Sequence, residues 1–145
     1  MVKEKHLRPL RSAEYQALAE FRYQLRKFMR HMEERTRALG VNPQQYQLLL
    51  AVKGLPPGES PTIGCLAERM QLNHNSTVEL VDRCQRGGSL RRSRAGRDRR
   101  QVTLAITPQG EELLRRLGSA AREEIRERGP SLVEAVRRLT RGAPG

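Results

Sequence analysis

Apolar residues recur at spacings of three and four along the first part of the chain. Between Ser12 and Ala38 they form one stripe, made of Leu18, Phe21, Leu25, Phe28, Met29 and Met32. This spacing places them on one face of a long α-helix, which Gly40 ends. Asn42-Pro43 then predicts a second helix, because asparagine is a favourable N-cap and proline suits the first helical turn. Its apolar residues, within 46–52, occupy most sides of the helix, which indicates that it is buried.

Two further short helices are predicted after a loop over residues 54–61, which is rich in proline and glycine. Thr62 caps a helix that continues to Met70, and Asn73 caps the next, which continues to about Arg86. On the latter helix, Val78, Val81 and Cys84 are expected to point inward. The polar side chains expected to be exposed are His74, Asn75, Ser76, Thr77, Glu79 and Arg83. Two short helices joined by a tight turn, the second polar and outward, are typical of a helix-turn-helix.

The spacing of apolar residues changes from a helical to a strand pattern after Gly88. Val102, Leu104 and Ile106 alternate with more polar residues, as in a half-buried strand. Residues 89–92 are predicted to be its antiparallel partner, with residues 93–100 as the tip of the hairpin. Thr107-Pro108 begins another amphipathic helix, Gly129-Pro130 is expected to break it, and a last helix follows.

This order of elements predicts a mainly α-helical fold with a small β-hairpin, a winged helix-turn-helix flanked by terminal helices. The winged lobe spans about residues 42–106, and the flanking helices span about 12–40 and 108–140. With 145 residues, we expect residues 1–145 to form a single domain. The two flanking helices carry more apolar stripe than a small winged lobe can cover, which predicts that they bury it against a second copy. The alternative is that they close the core of a monomer.

The net charge and its position along the chain indicate what kind of molecule the protein binds. The chain has a formal net charge of +12. Residues 83–100 contain eight arginines and one aspartate, a net charge of +7, so more than half of the excess lies in 18 residues. Such a concentrated basic patch indicates nucleic acid as the partner.

The predicted helix and hairpin suit different parts of double-stranded DNA. The helix fits the major groove, where asparagine, serine, threonine and histidine reach base edges. We therefore expect DNA contacts from Asn73, His74, Asn75, Ser76, Thr77, Glu79 and Arg83 on the helix. The arginines of the hairpin can contact the backbone or enter the minor groove. The wing residues expected at the DNA are Arg91, Arg92, Arg94, Arg97, Asp98, Arg99 and Arg100, with Asp98 folding back onto an arginine to shape the tip.

Short motifs follow one another in a fixed order between residues 62 and 117. They are Leu66-Ala67-Glu68-Arg69, Leu72, the run from His74 to Arg83, Gly88, Arg91-Arg92, Asp98-Arg99-Arg100, Leu104 and Thr107-Pro108-Gln109-Gly110. In this order and spacing they resemble the MarR family of bacterial transcriptional regulators. The family's wing signature, an aspartate followed by two arginines, falls at Asp98. The chain departs from the family at Cys84 and Ser89, where apolar residues are usual, and Ser89 is expected to loosen the first wing strand.

The resemblance implies a homodimer with interlocked terminal helices and two winged lobes on a pseudo-palindromic operator. It also implies a small phenolic or lipophilic anion as a possible effector, for which Tyr15, Arg22, Tyr23 and Tyr46 are the candidate binding residues. The alternative is that each of these four is an ordinary core or surface residue.

The two cysteines, Cys65 and Cys84, are too few for a disulfide framework or a zinc site. Cys65 lies in the first turn of a predicted helix, where the helix N-terminus can lower its pKa and favour oxidation. Redox sensing by Cys65 or Cys84 is therefore one hypothesis, and two inert packed thiols are the other.

The remaining function classes find little support in the sequence. The three histidines have no cysteine or carboxylate at metal-ligand spacing, and the chain has no phosphate-binding glycine loop or nucleophile motif. We therefore expect no enzyme activity, no cofactor and no metal. No apolar run approaches the roughly 20 residues of a membrane span, and the first residues do not resemble a signal peptide. These observations predict a cytoplasmic, nucleoid-associated protein.

The sequence thus predicts a sequence-specific transcriptional regulator, more specifically a ligand- or stress-responsive repressor. The alternative is a sequence-tolerant architectural protein that binds DNA or RNA through charge alone. Polar residues suited to base edges would be superfluous in such a protein.

Overall fold

The fold is mainly helical, with one two-stranded antiparallel sheet. The computed structural model describes residues 7–94 and 101–141. Its elements are α1 (Ser12–Ala38), α2 (Pro43–Lys53), α3 (Ile63–Met70), α4 (His74–Arg86), β1 (Leu90–Ser93), β2 (Thr103–Ile106) and α5 (Pro108–Thr140). The predicted fold class, a winged helix-turn-helix between long terminal helices, is confirmed.

The chain divides into two compact units. The winged-helix unit comprises residues 33–121 and contains α2, α3, α4 and the β1–β2 hairpin. The terminal-helix unit comprises residues 1–32 and 122–145, so that most of α1 packs with the second half of α5.

Three of the helices begin at the side-chain caps that the sequence predicts. The Asn42 side-chain oxygen accepts hydrogen bonds from the backbone N–H groups of the first turn of α2, at 2.9 and 3.3 Å. The Thr62 hydroxyl accepts from the N–H of Cys65 at 3.2 Å, and the Asn73 side chain accepts from the N–H of Ser76 at 2.7 Å. Each cap satisfies backbone donors that the first helical turn leaves without a partner, which fixes where α2, α3 and α4 start.

The core of the winged-helix unit is aliphatic. Its most deeply buried side chains come from every helix of the helix-turn-helix and from both strands: Leu48, Leu49, Leu66, Val81, Cys84, Leu90 and Leu104. In the hairpin Leu90 pairs with Ile106, and Ser93 pairs with Thr103. The loop before α3 is tied to the same sheet, because the backbone N–H of Leu104 donates to the carbonyl of Pro61 at 2.8 Å. The sheet and α4 therefore share one core.

The predicted break at Gly129-Pro130 is wrong, since α5 continues through Pro130 to Thr140. A proline ring clashes mainly with the Cβ of the residue before it and with the carbonyl four residues earlier. Gly129 has no Cβ, and Arg126, whose carbonyl loses its helical donor, is exposed to water. Both penalties are thereby reduced, and the apolar residues beyond Pro130 pack as part of the same helix.

The start of α5 is joined to the turn between α4 and β1, and we call this contact the α4–α5 junction (residues 87–89 and 107–110). The Thr107 hydroxyl donates to the carbonyl of Gly88 at 2.5 Å, and it accepts from the N–H of Gly110 at 3.1 Å. The Gln109 amide donates to the carbonyl of Gly87 at 3.1 Å. The motif Thr107-Pro108-Gln109-Gly110 thus both starts α5 and satisfies the backbone of the preceding turn.

Ser89 does not loosen the wing, contrary to the prediction. Its side chain is buried, and its hydroxyl donates to the carbonyl of Cys84 at 3.2 Å. Its backbone N–H donates to the same carbonyl at 3.0 Å, and its own carbonyl accepts from the N–H of Thr107 at 3.2 Å. A serine is suitable at this buried position because its hydroxyl has a partner, and it strengthens the end of α4.

Gly110 allows the close approach at the junction. A Cβ at this position would lie 2.2 Å from the carbonyl oxygen of Ser89 and 2.7 Å from the Cγ2 of Ile106. The first of these atoms is backbone, so the contact cannot be relieved by rotating a side chain. No residue larger than glycine fits here unless α5 moves away from the wing.

We predict that Gly110→Ala lowers the free energy of unfolding by about 1–3 kcal/mol, the usual effect of overpacking, or by more where backbone must move. Gly118→Ala is the matched control on the same helix, since a Cβ at Gly118 would have no neighbour within 4 Å. That variant should gain about 0.5–1 kcal/mol from helix propensity. Urea unfolding measures both changes. Equal shifts in the same direction would contradict the close approach at Gly110.

Candidate nucleic-acid interface

Helix α4 presents one polar face to solvent while its other face packs into the core. The buried side chains are Thr77, Leu80, Val81 and Cys84. The exposed ones are His74, Asn75, Glu79, Arg83, Gln85 and Arg86, and Ser76 is partly exposed. Asn75, Glu79 and Arg83 follow one another at intervals of four residues, so they form a single line along the exposed face. Five of the seven helix residues expected at the DNA, His74, Asn75, Ser76, Glu79 and Arg83, therefore share the accessible face.

Two of the predicted residues have other positions in the helix. Thr77 is fully buried, and its hydroxyl donates to the carbonyl of Asn73 at 2.9 Å, so the prediction that it is exposed is wrong. The spacing to Val81 and Cys84, four and seven residues on, was the signal that placed Thr77 on the buried stripe. Asn73 is exposed, but its side-chain oxygen is occupied by the capping bond to Ser76. The side chains of both residues are therefore hydrogen-bonded to the backbone at the start of α4.

The side chains of the two neighbouring arginines on β1 lie on opposite sides of the strand. Because side chains alternate along a strand, Arg92 lies on the same side as the buried Leu90, whereas Arg91 lies on the opposite side. Arg92 donates from Nη2 to the Asp82 carboxylate and from Nη1 to the Gln85 side-chain oxygen, both at 2.6 Å. Arg91 and Arg94 are exposed. The DNA contact of Arg92 stays a prediction, and in this structure its guanidinium is bound to α4.

Arginines are concentrated at the end of α4 and on the wing strand. Arg83 and Arg86 lie in the last turn of α4, Arg91 lies on β1, and Arg94 follows directly after β1. Amide, imidazole and carboxylate groups match the donors and acceptors of base edges, and arginines match phosphate oxygens. The remaining predicted wing residues, Arg97, Asp98, Arg99 and Arg100, lie outside the described residues.

The environment of the two cysteines contradicts the expected lowering of a thiol pKa. Partial burial, together with a hydrogen bond from Sγ to the Glu59 carboxylate at 3.5 Å, raises the pKa of Cys65. Burial raises the pKa of Cys84 to about 11. Burial of the thiol and the neighbouring Glu59 carboxylate both disfavour the thiolate form of Cys65. Both thiols are therefore poor nucleophiles, which argues against redox sensing.

The four candidate effector residues differ in exposure. Tyr46 is 3% exposed and belongs to the core of the winged-helix unit, which favours the alternative that it is an ordinary core residue. Tyr15, Arg22 and Tyr23 are exposed on α1, in the terminal-helix unit. The Lys27 ammonium lies over the Tyr23 ring, 5.0 Å from its centre, which is a cation–π contact.

Two negative findings apply to residues 7–94 and 101–141. Within these ranges no cluster of three or more histidine, cysteine, aspartate or glutamate side chains is arranged to bind a metal ion. In the same part of the chain, no helix combines the length and apolar character needed to cross a membrane.

Comparison with known proteins shows which family the chain resembles. Residues 39–101, which include the whole helix-turn-helix and β1, match the model of the MarR family. The entire fold agrees as well: AbsC of Streptomyces coelicolor, a MarR family transcriptional regulator, superposes with a TM-score of 0.76 over 93% of this chain and 94% of its own, at 17% identity. The helix-turn-helix part of the chain is therefore similar to the MarR family, and the whole chain shares the fold of its members. This is a family of winged helix-turn-helix transcriptional regulators and not of enzymes.

Two further similar proteins differ in how much they share with this chain. Sco3205 of Streptomyces coelicolor, a MarR family transcriptional regulator solved in complex with DNA, has a TM-score of 0.71 and 20% identity, covering 98% of this chain and 94% of its own. YsmB of Bacillus subtilis, described as an uncharacterised HTH-type transcriptional regulator, is 32% identical over 66 residues. That alignment spans 46% of this chain and 45% of YsmB, so less than half of this curated relative is matched.

We predict that neither thiol of this chain is readily alkylated in the native state at pH 8. With a pKa of about 11, about one Cys84 thiol in a thousand is ionised at that pH, and the side chain is also buried. Cys65 should react severalfold more slowly than a free cysteine and speed up as the pH rises, because its raised pKa delays ionisation. Iodoacetamide labelling followed by mass spectrometry measures both rates.

Glu59→Gln is the control for Cys65, because it removes the carboxylate charge and keeps the side-chain size. It should accelerate labelling of Cys65 and leave Cys84 unchanged. Labelling of native Cys65 faster than free cysteine would show that the helix N-terminus dominates after all.

Proposed function

We propose that this protein is a sequence-specific, double-stranded DNA-binding transcriptional regulator that acts as a homodimer on a pseudo-palindromic operator. The observation that carries the proposal is the exposed line of Asn75, Glu79 and Arg83 on α4, beside the arginines of β1. Polar groups suited to bases and cations suited to phosphates lie on adjoining surfaces of the same unit. The match of residues 39–101 to the MarR family and the DNA complex of the structurally similar Sco3205 support the same function.

In this proposal α4 is the recognition helix and enters the major groove. It has 13 residues, or about 20 Å at 1.5 Å per residue, and is exposed along one face. Asn75 has the side chain best suited to adenine, through paired hydrogen bonds, and Glu79 can accept from the amino group of cytosine. His74 and Ser76 lie beside Asn75 at the start of the helix, where recognition helices contact bases.

Phosphate contacts are assigned to the exposed arginines Arg83, Arg86, Arg91 and Arg94. Each guanidinium can bind two phosphate oxygens, so these residues supply affinity and register without reading sequence. From the sequence alone, Arg97, Arg99 and Arg100 extend this role to the wing tip, with Asp98 shaping it.

The homodimer is supported by the apolar surface of the terminal-helix unit. Nine large hydrophobic side chains among the described residues of that unit are exposed: Leu7, Leu10, Tyr15, Leu18, Tyr23, Met29, Ile125, Val133 and Val136. So many exposed apolar side chains on the terminal helices favour their burial against a second copy. A two-fold dimer presents two recognition helices, which matches half-sites about 10 bp apart.

The regulatory role completes the proposal. We propose a repressor that responds to a ligand or stress signal and acts in the cytoplasm at the nucleoid. A small phenolic or lipophilic anion is the proposed effector, with Tyr15, Arg22 and Tyr23 as its candidate contacts and Tyr46 excluded by its burial. The thiols have no part in the signal, given their raised pKa values.

The rival function is sequence-tolerant binding of DNA or RNA by charge. The neutral start of α4 opposes it, because Asn75 and its neighbours add no charge to attract phosphates. We predict that duplexes selected from a random pool, or from the promoter regions of the source genome, bind roughly a thousandfold more tightly than random duplex at the same salt concentration. A ratio near one for every selected sequence would favour the rival.

The same assay tests the base-reading role of Asn75 as part of that prediction. Asn75→Ala should reduce the discrimination between selected and random duplex by roughly 1–3 kcal/mol, the value of one good base contact. Ser119→Ala, an exposed polar residue of α5, is the control and should change neither affinity. Equal losses on both duplexes for Asn75→Ala would mean that Asn75 positions the helix without reading a base.

The homodimer gives a separate prediction. Leu18, 43% exposed, lies in the terminal-helix unit, whereas Leu50, 45% exposed, lies on α2 of the winged-helix unit. Leu18→Glu should raise the dimer dissociation constant at least about tenfold, since a carboxylate would be buried in an apolar interface. Leu50→Glu should leave it unchanged. Analytical ultracentrifugation measures both, and a wild-type monomer, or a dimer indifferent to Leu18→Glu, would contradict the proposed interface.

A further inference from the structure

Asp82 is out of place on a surface proposed to bind a polyanion. It lies on α4, between Glu79 and Gln85, and its side chain is 46% exposed. A carboxylate here repels DNA phosphates unless a neighbouring cation neutralises it. Arg92 is that cation, at 2.6 Å from Oδ1 of Asp82. The pair adds no net charge to the surface, so attraction of phosphate does not explain the presence of Arg92.

The geometry around Arg92 is that of a clamp between two elements. Its two terminal nitrogens bind separate acceptors, Asp82 and Gln85, which lie three residues apart on the same side of α4. A guanidinium holds two acceptors in a fixed plane, which a single point charge cannot do. The contact therefore sets both the distance and the orientation of β1 relative to α4.

Arg92 also occupies the place on the wing where such a clamp has the greatest effect. Leu90, two residues earlier on the same side of β1, is buried in the core. Arg92 is the last residue of β1 on this side, because the strand ends at Ser93. Beyond the core, the described contacts from β1 to α4 are these side-chain bonds of Arg92.

We propose that Arg92 is a positioning residue: by clamping β1 to Asp82 and Gln85 it holds the wing strand and the recognition helix in one register, so that both engage DNA together. This inference rests on the proposed function. Arg92 itself contacts no phosphate and no base. The opposite view is that Arg92 leaves Asp82 and binds a phosphate when DNA arrives.

The decisive variant removes the two acceptors and leaves the arginine. Asp82→Ala/Gln85→Ala deletes a negative charge from a DNA-binding surface, so electrostatics alone predicts tighter binding. The clamp predicts the reverse, an operator affinity lower by roughly three- to tenfold, with a smaller loss on random duplex. Affinities for the selected operator and for random duplex are measured over a range of salt, at a temperature where circular dichroism shows each variant folded.

Arg91 and Arg92 are matched for the second step, being the same residue type on adjacent positions with opposite directions. In the acceptor-deleted background, Arg92→Ala should cause no further loss of operator affinity. Arg91→Ala in that background should weaken binding to both duplexes and reduce the salt slope by roughly 0.9, the value of one phosphate contact.

Arg92→Lys in the otherwise unchanged protein gives an independent measure. It keeps the positive charge but cannot span both acceptors, so the clamp predicts a specificity ratio close to that of the acceptor-deleted variant. A phosphate contact would survive the change to lysine with little loss.

The outcomes distinguish a failure of the proposed function from a failure of the Arg92 clamp. A wild-type protein without preference for any duplex would overturn the proposed function and the clamp with it. If the wild type shows that preference, unchanged or tighter operator binding by the acceptor-deleted variant overturns the clamp alone. A further loss on Arg92→Ala, with a reduced salt slope, would do the same and would make Arg92 a phosphate contact.

Discussion

The close approach of α5 to the turn between α4 and β1 is the contact on which the winged-helix unit depends. It requires a glycine at position 110, because the Ser89 carbonyl occupies the space of a Cβ. It also requires Thr107 and Gln109, which satisfy the carbonyls of the turn. Because this turn is fixed, β1 begins directly after the end of α4. Helix α4, with its exposed polar face, and the wing therefore pack on the same core.

Much of the fold follows from local signals in the sequence. The bounds of α2, α3 and α4 are set by the side chains of Asn42, Thr62 and Asn73, and such caps act within a few residues. The break expected at Gly129-Pro130 failed because a proline penalty depends on its surroundings. Here the residue before the ring has no Cβ, the carbonyl that loses its donor belongs to the exposed residue Arg126, and the helix continues.

The interface was predictable in outline but not residue by residue. The outward face of α4 follows from helical period, and closer attention to that period places Thr77 among the buried residues. The pairing of Arg92 with Asp82 joins two elements, and composition cannot distinguish it from the exposed Arg91 beside it. The pKa of Cys65 depends on Glu59, six residues earlier, whose position is decided by the loop before α3. The spacing of Glu59 and Cys65 in the sequence does not predict that their side chains are in contact.

The neutral caps of the helix-turn-helix have a consequence for the field around it. Aspartate would cap these helices as well as asparagine does, yet α2, α3 and α4 begin with Asn42, Thr62 and Asn73 and carry no acidic residue in their first turns. The starts of α2 and α4 therefore keep the partial positive charge of their helix dipoles, whereas the Glu59 carboxylate lies beside the first turn of α3. The dipole charge at the start of α4 attracts a polyanion without a lysine or arginine, and no change of pH can titrate it away.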